Sequence, residues 1–154
     1  MLTDEERREI EAEMARYPTR QAVCVDAMKI VQQHRGWVSD ESLRDIAALL
    51  QMSVDELDGV ATFYNLVFRR PVGRHVVLVC NSVTCWMLGA DGLYQESCAA
   101  SGAPGGATSP DGRFTVLPIV CLGACDHAPV MMVDDDLHHD VSPGNVATIL
   151  ERYP

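Results

Sequence analysis

The sequence predicts an α+β chain, with a helical half over residues 1–70 followed by an α/β half over residues 71–154. Three observations carry this prediction. Capping signals and apolar stripes of helical period fill the first half. β-Branched runs of strand length occur only after His75. Between the two, the segment Phe68-Arg69-Arg70-Pro71-Val72-Gly73-Arg74 changes the composition.

The elements follow in order. Thr3 with Glu6 makes a capping box that opens a polar helix ending near Tyr17-Pro18. Thr19 is placed to cap a second helix with the stripe Val23, Ala27, Ile30 and Val31, closed by Gly36. Ser39 begins a third, with Leu43, Ile46, Ala47 and Leu50 on one face, and Ser53 with Glu56 boxes a fourth containing Leu57, Val60 and Ala61. This half shows no chemistry and reads as a small helical bundle, a scaffold or docking surface.

His75 to Val79 reads as a strand ending on Cys80, and Met87 to Ser101 as a helix weakened by Gly89 and Gly92. Gly102 to Gly106 is a loop. Phe114 to Val120, Val130 to Val133 and Leu137 to His139 are further strands, the later ones mostly antiparallel, and Ser142-Pro143 starts a last helix.

Composition excludes several classes of function. Twelve basic residues against 22 acidic ones give a net charge of −10, which argues against nucleic-acid binding, where a basic face must displace counterions. No apolar run approaches the ~18 residues that span a bilayer. The charged start, Thr3-Asp4-Glu5-Glu6-Arg7-Arg8, has no apolar core of a signal peptide, so a cytoplasmic address is expected. In that compartment the six cysteines are metal ligands or core thiols rather than disulfides. The charge is also split: residues 80–154 hold only Arg113 and Arg152 against nine acids, together with five of the six cysteines.

Four cysteines stand directly after predicted strands as Cys80-x4-Cys85 and Cys121-x3-Cys125, with 35 residues between the pairs. Two loops at one end of a sheet can bring such pairs together, and four thiolates suit iron–sulfur chemistry or zinc. Structural zinc favours closely spaced knuckles, whereas C-x4-C suits the wider span of a two-iron cluster. Buried apolar thiols are the bland alternative. Gly123 allows a backbone N–H to approach a sulfur closely, which would tune a reduction potential. A thioredoxin-type dithiol is disfavoured because no C-x-x-C occurs.

Cys24 and Cys98 read as core thiols, His127 as a surface residue near the thiols, and His138-His139 as a solvated hairpin edge. Arg69, Arg70 and Arg74 form the one concentrated basic patch, a candidate grip for a partner. Gly102 to Gly106 follows a helix rather than a strand, so it is no dinucleotide fingerprint, and no nicotinamide site is visible.

The cysteine spacing, with Cys121-Leu-Gly-Ala-Cys125-Asp126 preceded by Gly59-Val-Ala-Thr-Phe-Tyr64 and Asp111-Gly-Arg-Phe114, resembles the small 2Fe–2S subunits of bacterial NADH:quinone oxidoreductase, respiratory complex I. The resemblance runs from about Leu2 to Tyr153. It implies a helical N-terminal bundle followed by a thioredoxin-like domain carrying one 2Fe–2S cluster on Cys80, Cys85, Cys121 and Cys125. It implies an electron-transfer role without a catalytic residue or NADH site in this chain. FMN and NADH would sit on the partner, a flavin-binding subunit, with other peripheral-arm subunits beyond it. The chain would then lie peripherally on the cytoplasmic side of the inner membrane, without inserting. Related subunits serve NAD-dependent hydrogenases and formate dehydrogenases, and a structural zinc docking module is the remaining alternative.

Overall fold

The computed structural model describes residues 1–154, in which Met1–Pro71 and Val72–Pro154 form two compact units.

In the first unit, the capping box of Thr3 and Glu6 opens α1 (Asp4–Met14). This helix stops before the expected Tyr17, because the amides of Arg16 and Tyr17 bond three residues back, to Glu13 and Met14, and tighten the chain out of α geometry. The expected second helix is also divided. Arg20–Val23 winds as a 3₁₀ turn, with no side-chain bond from Thr19, before α2 (Cys24–Arg35) begins. Ser39 caps α3 (Asp40–Leu50), and Ser53 with Glu56 boxes α4 (Val54–Phe63). The inward stripes meet in one core that includes Ile10, Met28, Val31, Ile46, Leu50 and Leu57.

Two polar devices secure this unit. Glu6 is fully buried and receives both Nε and Nη2 of Arg35 at 2.6 Å, while Nη1 of Arg35 donates to Ser42 Oγ at 3.0 Å. The Arg35 hydrogen bonds hold the Glu6 carboxyl down at about 2, well below its ordinary value. The second device pins the segment after α4. Gln32 donates to the Leu66 carbonyl at 2.9 Å and accepts from the Phe68 amide at 2.6 Å. Arg69 bonds Asp58 at 2.9 Å, Asp40 at 2.7 Å and the Val38 carbonyl. Arg69 is therefore engaged in holding its own unit together. Of the basic patch, Arg70 and Arg74 alone remain exposed.

The second unit contains β1 (His75–Cys80), α5 (Val83–Met87), α6 (Ala90–Ser101), β2 (Phe114–Ile119), β3 (Met131–Val133), β4 (Asp136–His138) and α7 (Val146–Leu150). The sheet order is β2-β1-β3-β4. β1 pairs parallel with β2, in a register from His75 opposite Phe114 to Cys80 opposite Ile119. β3 runs antiparallel to β1, and β4 antiparallel to β3. The α6 crossover satisfies the need for a long connection between parallel neighbours. Val77, Val79, Leu93, Val116, Met131 and Val146 fill the core.

The expected helix over Met87 to Ser101 is in fact two. Gly89 adopts φ +98° and breaks the chain between α5 and α6, a conformation open to glycine at little cost. Consequently Cys85 sits on a short helix rather than in a loop. The strand ends differ from expectation by a residue: β2 stops at Ile119, β3 starts at Met131 and β4 covers Asp136–His138. The last helix opens with a 3₁₀ turn over Pro143–Asn145 before α7.

Candidate functional site

Parallel pairing gives β1 and β2 a common C-terminal end. Because Cys80 stands opposite Ile119, Cys121 lies two residues past the partner of Cys80. α5 then returns the chain so that Cys85 comes back to Cys80, and Cys125 opens a 3₁₀ turn over Cys125–His127 just after Cys121. Four cysteines distant in sequence are thereby gathered at one end of the sheet.

The two pairs differ. Cys80 and Cys85 are buried, each 1% exposed, whereas Cys121 and Cys125 are exposed. The Cys80 thiol donates to the Val120 carbonyl across 3.6 Å, tying one cysteine loop to the other. Burial pushes the Cys85 thiol above its ordinary value, and the neighbouring Cys80 adds to this, while the Val130 amide opposes it. Cys121 beside it raises Cys125, with the Thr84 hydroxyl acting in the opposite sense. The Gly123 amide donates to Cys121 Sγ at 3.3 Å. Gly123 itself stands at φ +79°, a conformation that glycine takes freely.

The thiols are grouped two by two. Four cysteine sulfurs in two pairs suit a binuclear group that takes two thiolates on each metal. The donor set of four sulfurs, with N–H groups beside them, fits a 2Fe–2S cluster.

Of the remaining sequence candidates, Cys24 and Cys98 lie elsewhere, and His127 ends the turn that Cys125 opens. Cys24 packs against the core of the first unit and Cys98 against that of the second, both partly buried. His127 is half-exposed, bonds Asp140 through Nδ1 at 3.3 Å, and stacks on His139 with ring centroids 4.9 Å apart. That stack joins residues the sequence separates, and nothing in the local pattern announces it. The sequence reading also missed α5, which exposes Val83, Trp86 and Met87 beside Cys85, with Leu88 exposed just after it. Its one signal was Ser82 at a helix-start position.

Comparison with known proteins agrees with this geometry. The E subunit of NADH-quinone oxidoreductase from Pseudomonas aeruginosa is 46% identical over 153 residues, covering 99% of this chain and 92% of that protein. The protein of the same name from Escherichia coli is 44% identical over 152 residues, with the same coverage. Among solved structures, an NAD+-reducing [NiFe]-hydrogenase in the air-oxidized state matches with a TM-score of 0.69 at 21% identity, over 85% of this chain and 22% of that one, which shows a shared fold. The profile of the thioredoxin-like [2Fe-2S] ferredoxins matches residues 10–154. With a sheet that gathers two cysteine pairs at one end and relatives this close along nearly all its length, the chain belongs to the thioredoxin-like [2Fe-2S] ferredoxin family.

Proposed function

We propose that this chain is the electron-transfer subunit of an NADH:quinone oxidoreductase, and that Cys80, Cys85, Cys121 and Cys125 hold its single 2Fe–2S cluster. The observation that carries the reading is the meeting of a buried and an exposed thiol pair at one end of the sheet. The bound cluster supplies a one-electron carrier. Around it, the buried pair excludes water from one side, the Gly123 N–H offers positive charge density to Cys121, and the exposed pair faces the surface where a partner can approach.

In this reading the chain is not itself catalytic. FMN and NADH reside on a flavin-binding partner subunit, with further peripheral-arm subunits beyond. The helical unit is a docking bundle spanning residues 1–70, and residues 71–154 are the cluster domain. The chain sits peripherally on the cytoplasmic side of the membrane, held there by its partners; no helix of its own is long and apolar enough to cross a membrane. The fold shared with the hydrogenase supports the equivalent subunit of an NAD-dependent hydrogenase as the second reading.

The test is reduction by NADH. Purified, flavin-free protein carrying its cluster should keep its visible absorbance when NADH is added, and bleach when the flavoprotein subunit is supplied. Bleaching by NADH alone would overturn the assignment of the NADH site to the partner.

A further inference from the structure

We infer that the segment after α7, residues 151–154, is a proton-operated strap on the cluster domain, closed when the His75 ring carries two protons and loosened when it loses one. His75 opens β1, whereas Cys80 closes it, so the strap and the thiols occupy opposite ends of that strand.

Three ties hold the strap. Arg113 donates to the Leu150 carbonyl at 3.1 Å and, through Nε, to the Tyr153 carbonyl at 2.6 Å. The Tyr153 hydroxyl donates to Asp136 at 2.9 Å and lies 2.9 Å from His138 Nε2. Its single proton is spent on Asp136, so His138 is the donor of the second bond. The third tie is His75. Its Nδ1 lies 2.7 Å from Asp134 Oδ2, and its Nε2 lies 3.2 Å from the Pro154 carbonyl oxygen. A carboxylate and a carbonyl only accept, so both ring nitrogens must donate, and the imidazolium alone does that. A neutral ring serves one partner and turns a lone pair on the other.

The groups around His75 leave this response to it. Arg74 precedes it in the chain. From the β2 side come the apolar Phe114 ring, its centroid 5.7 Å away, and Arg113, whose guanidinium lies over that ring. Asp134 faces it from the turn between β3 and β4, and Tyr153 from the strap, with ring centroids 5.6 Å apart. Behind Tyr153 stand Asp136 and His138 of β4, with Arg152 nearby. The arginines stay charged throughout. Burial, aided by Asp136, lifts the Tyr153 phenol to about 12, and burial lowers His138 below its ordinary 6.5. Neither therefore gains or loses a proton in a mildly alkaline medium. The closed strap grips a proton that the open one gives up more readily, so closure weakens as pH rises.

The experiment uses the full chain with its cluster. Nitrogen NMR reads the His75 ring. Hydrogen exchange at the amides of Arg152 and Tyr153, which bond the carbonyls of Ile149 and Leu150, reads opening of the strap once corrected for the intrinsic rate. At about pH 6 both ring nitrogens of the wild type should carry protons, and by about pH 9 opening should rise ~5- to 10-fold, the effect of losing one hydrogen bond. Amides within α6 should show no such rise. His75→Gln donates once and does not titrate, so at about pH 6 it should open as readily as wild type does at about pH 9. Asp134→Asn keeps an acceptor without its charge and should open at lower pH than wild type; it decides if His75→Gln fails to fold. A singly protonated His75 ring at about pH 6, or wild-type opening that ignores pH, would overturn the strap. A pH response that survives in His75→Gln, or an Asp134→Asn strap that opens at the wild-type pH, would do the same.

Discussion

The Gly123 amide and the Cys121 sulfur lie 3.3 Å apart across a tight turn, so the backbone itself presents a hydrogen-bond donor to one thiol of the exposed pair. A donor at a sulfur stabilises added negative charge and raises the reduction potential. Gly123→Ala must hold φ near +79°, at a cost of roughly 1–2 kcal/mol, or rotate the N–H away. The expected result is a full complement of iron and sulfide with a more negative midpoint in an EPR-monitored redox titration. An unchanged midpoint would show that this bond does not set the potential.

Replacement of cysteines separates ligands from core thiols. Cys80→Ala, Cys85→Ala, Cys121→Ala and Cys125→Ala should each abolish or severely reduce iron and acid-labile sulfide. Cys24→Ala and Cys98→Ala should leave both at wild-type levels, since each packs on a core away from the paired thiols. Full iron content in Cys121→Ala would sink the ligand assignment.

Stability of the helical unit should depend on Glu6. Its folded-state value of about 2 lies below the ordinary 4.5, so the unfolded chain takes up protons first as the medium is acidified. The stabilisation is complete above the ordinary value, at neutral pH, and is lost as pH falls through 4.5 towards 2. Glu6→Gln, which leaves Arg35 without its anion, should cost on the order of 2–3 kcal/mol at pH 7. Urea melts monitored by circular dichroism should show the gap between wild type and variant narrowing below pH 4.5. A gap that does not vary with pH would disprove this account.

Arg69 and Arg70 are neighbours with opposite expectations. Arg69→Ala removes the ties to Asp58, Asp40 and the Val38 carbonyl, and should destabilise the fold by about 1–3 kcal/mol. Arg69→Lys should not restore this, because an ammonium cannot serve the three acceptors with a planar fork. Arg70→Glu, at an exposed position, should change stability by less than about 0.5 kcal/mol. Equal effects from the two changes, read by thermal unfolding, would contradict the structural role of Arg69.

Much of this architecture was legible because its signals are local. Thr3 with Glu6 and Ser53 with Glu56 announce helix starts within four residues, and both boxes form. The β-branched run His75 to Val79 marks its strand, and Cys80 and Cys121 follow the ends of β1 and β2 as their spacing suggests. The misjudged parts depend on contacts that sequence proximity does not encode. The break at Gly89 and the short helix through Cys85 follow from returning one thiol to the end of β1. The engagement of Arg69 depends on Asp40, 29 residues away, so a charge count alone reads it as free. The grouping of the thiols into a sheltered pair and an open pair required the parallel register of β1 with β2.

That register also imposes a chronology on synthesis. Strand β1 is central: it is flanked by β2 and β3, both of which come later in the chain. The 35 residues between Cys85 and Cys121 take roughly 2–7 s to emerge from a ribosome. During that interval the first two thiols have no opposing pair, and β1 meets its first neighbour, β2, only towards the end of it. With the proposed ligand set, all four thiols exist only once Cys125 has been made, after both β1 and β2.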